Sequence, residues 1–287
     1  MPTIILLFVL GASFLSFFLS FKWGLKALYV QVPLGVAAFT AGYFLNNILF
    51  FVIPIFLGSF AGYAFKADKS LQFFVLVSAL VTSLFYAGNF YYLKHIKGVD
   101  MMQSAKHIMI ETFNVSDLTA EKKNEMSASL DRAMDFAKKI LPFSAFVYSL
   151  FSSFLTFFVA KLLLIKVKDL SKIQGMASFR NHDYTIFILI AGIAIMLYFD
   201  INVDSITFII GLNAVLIAAA LYFLQAVGVI GFFLSKKGLP LYIIPIFFVL
   251  LLFTGINVMI FITIMLAGFG ALDMWADFRK VGSTQTK

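Results

Sequence analysis

Two aspartates close the last apolar run of the chain, Asp273 and Asp277 in the stretch Gly270-Ala271-Leu272-Asp273-Met274-Trp275-Ala276-Asp277-Phe278-Arg279-Lys280. On a helix, residues four apart share a face, so the pair could hold a cation, relay protons or meet a basic partner. Acids at a helix C-terminus oppose the macrodipole, so something else must justify them. Asp273 follows directly on apolar residues. An acid at a membrane edge needs a cationic partner, a helix N-terminus or a water-filled cavity. The first expectation is an ion pair with a Lys or Arg of a cytoplasmic loop. The alternative is a site for substrate or protons. Trp275 and Arg279 share another face and read as an interface anchor, or as a cation–π pair.

The next candidates are amides inside apolar runs, where hydrocarbon makes each one costly. Asn213 and Gln225 lie in the longest run. Twelve residues is about 120° of helical rotation, so they face different directions, whereas Tyr222 and Gln225 share a face. Such amides either bind helix to helix or line a ligand cavity. Asn89 sits among Tyr86, Tyr91 and Tyr92. Those tyrosines read first as an aromatic belt. With Asn46 and Asn47 they would form an outward-facing mouth. The ligand-binding candidates are therefore Asn213, Tyr222, Gln225, Asn89 and Asn46. The structural or interface candidates are Asp273, Trp275, Asp277 and Arg279.

Other chemistries are excluded by what is missing. There is no Cys, hence no disulfide, thiolate site or Cys nucleophile. His95, His107 and His182 have no partner at zinc spacing, so no metal site is expected. No phosphate-cradling glycine motif occurs, so a nucleotide-driven motor would have to come from a partner. The three glutamates, Glu111, Glu121 and Glu125, all fall in one polar segment, and no Ser-His-Asp set is visible. Asp200 and Asp204 sit at a connection facing water. Neither an enzyme nor a cofactor is expected. The net charge of +8 reads as cytoplasmic Lys and Arg, with the lipid bilayer as partner and no nucleic acid.

These side chains must be positioned by membrane helices. The chain is 62% hydrophobic and 13% charged, against about 25% charged in a soluble domain. A membrane helix needs about 20 apolar residues. Runs at 3–20, 27–43 (interrupted by Pro33), 48–65 and 71–93 make an N-terminal four-span region, 1–93. The first run lacks a basic start and exceeds a signal-peptide core, so it reads as a retained span. From 94 to 140 charges alternate with apolar residues. Met102, Ala105, Met109 and Phe113 share one helical face, and Met126, Leu130, Ala133, Ala137 and Leu141 share another. This predicts an extramembrane amphipathic hairpin, packed on its own protein or lying in the membrane interface. The C-terminal membrane region, 141–287, has runs at 142–164, 184–199 and 206–234, and a long stretch, 239–275, that Phe253–Asn257 could divide. The fold expected is an all-α, polytopic transmembrane helix bundle of eight or nine spans. Lys166, Lys168, Lys172 and Arg180 cluster in one connection, which the positive-inside rule places in the cytoplasm. Lys22, Lys26, Lys66, Lys69, Lys236 and Lys237 then fall on the same side, with the hairpin outside. Nine spans would bring Arg279 and Lys280 inside as well.

The C-terminal third resembles the YybS-like family of bacterial membrane proteins (domain of unknown function 2232). The resemblance rests on Asn213; on Tyr222, Phe223, Gln225 and Gly228; and on Gly270, Asp273, Trp275, Asp277 and Arg279. It extends over about 179–280 and is architectural before that. It implies a multi-pass protein of the bacterial cytoplasmic membrane with no assigned biochemical role. A more distant similarity, at the level of fold alone, is to the substrate-binding subunits of energy-coupling-factor importers. Two functions follow as expectations. One is a transport or binding subunit for a small or lipid-like ligand. The other is a non-catalytic scaffold or assembly factor, working with a membrane partner or a second copy through the hairpin or through small-residue faces such as Gly58 and Gly62.

Overall fold

A computed structural model describes residues 2–44, 48–114, 120–164, 175–198, 205–240, 243–251 and 253–283. Among the described residues all regular structure is helical. The first four helices are α1 (Pro2–Trp23), α2 (Leu28–Phe44), α3 (Ile48–Lys66) and α4 (Leu71–His95). The hairpin is α5 (Met101–Asn114) and α6 (Ala120–Lys139). The remainder comprises α7 (Leu141–Leu164), α8 (Thr185–Tyr198), α9 (Ile206–Lys236), α10 (Ile243–Leu251), α11 (Ile256–Ala276) and α12 (Phe278–Ser283). Helices α4, α7, α9 and α11 are each long and apolar enough to cross a membrane. Asn46, Asn47, Lys166, Lys168, Lys172, Asp200 and Asp204 lie outside the described residues.

Pro33 does not interrupt its span: it lies inside α2, as Pro54 lies inside α3. A proline removes one backbone donor, and the helix continues around it with neighbouring helices packed alongside. At Pro54 the Ser13 hydroxyl of α1 donates to the proline carbonyl at 2.7 Å.

The N-terminal half is knit by close approach. A Cβ built on Gly62 of α3 would lie 2.2 Å from the Phe17 carbonyl of α1, and one on Gly58 would lie 2.4 Å from that of Ser13. The Gly-x-x-x-Gly step is thus spent on α1, within the bundle. Phe157 of α7 meets Phe65 and Phe74 at 4.9 and 5.9 Å between ring centres. Beside them Ser78 of α4 and Ser153 of α7 share a hydrogen bond of 2.7 Å. Buried hydroxyls satisfied across two helices are the usual polar adhesive where lipid offers no water.

In the C-terminal half α9 is the axis, packed by α8 and α11. Gly270 of α11 lies against the Tyr222 carbonyl of α9, and Asp273 meets Gln225. Both contacts advance three residues in the same direction, so α9 and α11 run parallel. The segment between them must carry the chain back. Among its described residues the helical ones are the nine of α10. At 1.5 Å per residue α10 reaches about 13 Å, under half the hydrocarbon thickness. The long stretch therefore divides into one short return helix and one full span, with the break at Gly255, whose φ is 90°.

Three contacts gather the basic connections at one pole. The Lys66 ammonium donates to the Lys22 carbonyl at 2.6 Å. The Gln72 amide donates to the Arg180 carbonyl. Arg279 donates to the Phe179 carbonyl at 2.6 Å. At the opposite pole Tyr43 meets Tyr92, and Lys97 lies over the Tyr43 ring at 5.0 Å.

Candidate functional site

Two regions collect the candidate side chains. The first is a buried polar clasp at the basic pole. Asp273, on the last turns of α11, is 2% exposed. Its carboxylate accepts from Gln225 Nε2 at 3.0 Å and from the backbone N–H of Phe278 at 3.1 Å. The Arg279 guanidinium stands 3.6 Å away and donates to the carbonyls of Ala177 and Phe179. Gln225 Oε1 accepts from the N–H of Asn181, whose own amide donates to the Leu221 carbonyl at 2.7 Å. The short turn 176–181 is thereby stitched to α9 and α11 together.

The local fold explains how Arg279 arrives. Asp277 follows α11 in the left-handed conformation, φ 41° and ψ 58°. Asp is among the few residues other than Gly that tolerate it. That turn ends the helix and starts α12, which folds Arg279 back over Asp273. Among the described residues the cation beside Asp273 is therefore its own near neighbour, Arg279. The loop cation pairs one step further on: Arg180 is 3.4 Å from Asp277, which also holds Lys280 at 2.8 Å. The hydrogen bond from Lys280 lowers the Asp277 carboxyl below its ordinary range, with Arg180 contributing. Burial pushes the Arg279 guanidinium down, opposed by Asp273 and Asp277. It remains a cation at any physiological pH. Trp275 is 66% exposed, pointing away from the clasp that holds Arg279.

Asn213 belongs to neither an open cavity nor the clasp. Both its amide hydrogens are taken, by the carbonyls of Lys139 and Ile209, and its oxygen accepts from the Phe143 N–H at 2.9 Å. It ties α9 to the junction of the hairpin and α7. Tyr222 is 1% exposed, with its hydroxyl against the Met274 sulfur. Asn213 thus faces the junction of the hairpin and α7, while Tyr222 and Gln225 both meet α11. Asn181, Arg180 and Phe179 take part in the clasp without having been foreseen. The arginine of that segment was visible as charge, but nothing local marks Asn181.

The second region is a groove of about 1500 Å³ between α1, α3, α4 and α7. Its body is apolar, with Phe14, Ile53, Leu80, Leu84, Phe151 and Leu155 among the lining side chains. Serine and threonine hydroxyls are scattered along it, whereas its charged, amide and phenolic side chains gather where α4 ends and α7 begins. Asn89, Tyr86, Tyr148, Lys94 and His95 all line it there. The rings of Tyr86 and Tyr148 meet edge to face across the two helices at 5.4 Å. Leu84 and Phe151, which line it, are 64% and 67% exposed, so the groove is open along its side. Asn89 is the foreseen residue that the structure brings to it. Lys94 and His95 were missed, although basic residues ending an apolar run are a readable signal.

A bundle of apolar helices whose internal polar groups are bonded across helices defines an integral membrane protein. The family described as Predicted membrane protein (DUF2232) matches residues 1–274, and the chain belongs to that family. The match takes in the N-terminal half, where the sequence resemblance was architectural only. No curated protein and no solved structure matches the chain. The likeness to energy-coupling-factor subunits accordingly carries no argument.

Proposed function

We propose that this protein is a multi-pass binding or transport subunit for a lipid-like ligand, held in the groove between α1, α3, α4 and α7. One observation carries the reading: an apolar cavity open to the side, with its charged, amide and phenolic side chains gathered at one end and only serine and threonine hydroxyls elsewhere. Small-molecule sites occupy about 300–1,000 Å³ and place several polar groups around the ligand. This groove is larger, and its walls offer a polar metabolite almost nothing. An acyl chain fits both the size and the chemistry. The amides that the sequence offered for a ligand, Asn213 and Gln225, are committed to protein partners. That favours the lipid-like branch over the small polar one. The reading is of a binding protein rather than an enzyme, and any movement of ligand would draw on a gradient or a partner.

The test is lipid retention. Ala145 lines the groove on α7. Protein purified into a mild detergent and weighed intact should carry bound lipid, and Ala145→Trp should lose most of it while unfolding at the same temperature. A wild-type protein that carries no lipid would end the proposal.

The scaffold reading has an observation of its own. The hairpin leaves Ile108 63% and Phe136 55% exposed. Photo-cross-linking from position 108 in whole cells separates the readings, since a single protein adduct supports a scaffold and lipid adducts do not.

A further inference from the structure

We infer that the groove selects amphiphiles with an anionic head and reads that head with Lys94 and His95; this rests on the groove being a ligand site. Among the residues lining the groove the only ionisable groups besides tyrosines are Lys94 and His95, and none is an acid. Lys94 makes no ion pair among the described residues. The nearest acid along the chain, Asp100, is occupied: its carboxylate accepts from the N–H groups of Met102 and Gln103 at 2.9 and 3.1 Å, capping α5. The neighbouring cation Lys97 rests on the Tyr43 ring. Lys94 is thus left with its charge at the mouth of an apolar groove.

The geometry gives each part of an amphiphile its place. The four-carbon stem of a lysine lies along apolar surface while its ammonium reaches the polar boundary. His95 packs against Tyr91 with ring centres 4.6 Å apart and planes tilted by 36°, which holds the imidazole at the same end. The Asn89 amide and the Tyr86 and Tyr148 hydroxyls supply further donors. Two cationic or neutral bases and several donors suit phosphate or carboxylate oxygens. They suit a choline or ethanolamine head poorly, because its ammonium would meet Lys94. A phosphodiester lipid and a free fatty acid share the required chemistry.

Competition in phosphatidylcholine nanodiscs decides it. Wild-type protein is challenged with phosphatidylglycerol, with oleate and with additional phosphatidylcholine, and retained lipid is counted by mass spectrometry. Enrichment of either anionic lipid supports the inference, and the better of the two identifies the head as phosphodiester or carboxylate. One lysine near an anionic surface is worth about a fivefold preference. Lys94→Gln should therefore cut the enrichment about fivefold, Lys94→Glu should cut it further, and Lys94→Arg should keep it. Lys94 is exposed, so these variants fold. Equal retention of all three lipids, or enrichment unchanged in Lys94→Glu, overturns the inference. If Ala145→Trp still loses lipid in that case, the groove reading survives on its own; if Ala145→Trp loses nothing, both fall.

Discussion

The clasp and the groove put polar groups to opposite uses. In the clasp Asp273, Gln225, Asn181 and Arg279 spend their hydrogen bonds mainly on one another and on backbone. In the groove Lys94 and Asn89 face open space. Polarity within a membrane protein is therefore a poor guide to function by itself. What separates the two regions is how far the bonds are already made: in the clasp only Asn181 Oδ1 and Arg279 Nε stay buried without a partner among the described residues.

The sharpest way to break this contrast is to unmake the clasp. Asp273→Ala leaves Arg279 buried without its contact carboxylate, with Asp277 acting only from further off, and removing one member of a buried pair costs about 3–5 kcal/mol. Thermal unfolding in detergent should show a larger loss for this variant than for any of those that follow. Retained lipid per folded molecule should stay unchanged. If lipid falls as well, the two regions are one coupled device and the contrast fails. Gly270→Leu attacks the same contact sterically, because a Cβ there would lie 1.9 Å from the Tyr222 carbonyl. Overpacking of this kind costs about 1–3 kcal/mol, and chemical denaturation should report a loss in that range. Asn213→Leu leaves the Phe143 N–H unpaired and should cost less, about 1–2 kcal/mol on the same measurement. A large effect on lipid retention with little on stability would move Asn213 from the structural class to the ligand class.

The smallest effect is a dependence on acidity. The Asp277 carboxyl is lowered by its hydrogen bond from Lys280. Its contribution is present above the ordinary aspartate range, near pH 4, and disappears as pH falls through the lowered value. The wild type should lose stability on acidification over that window by slightly more than Asp277→Asn does. Identical acid profiles would show that the pairing of Asp277 adds nothing.

Much of the architecture was legible because hydropathy reports it directly. Each expected apolar run became a helix, and the polar segment 94–140 became α5 and α6. The clasp was legible only in part. Two aspartates after an apolar run announce that partners exist, but not which. Their identity depends on Asp277 adopting a left-handed turn, a choice open to Asp and rarely forced by its neighbours. Asn213 was visible as an amide in a span, yet its partners at 139 and 143 lie seventy or more residues away. Pro33 misled because membrane helices tolerate a proline that a soluble helix interior resists. Lys94 and His95 were read as the start of a polar segment, when they also close the wall of a groove.

Arg279 fastens to Phe179 across one hundred residues, and Gln225 waits forty-eight residues for Asp273. During synthesis, when the ribosome has delivered everything up to the end of α10, the turn 176–181 and the inner face of α9 still lack the acid that closes them. Insertion into the bilayer and final assembly are thus separate events in time. A chain stopped just before residue 273 would lack both the Asp273 carboxylate and Arg279, and the clasp would stay open.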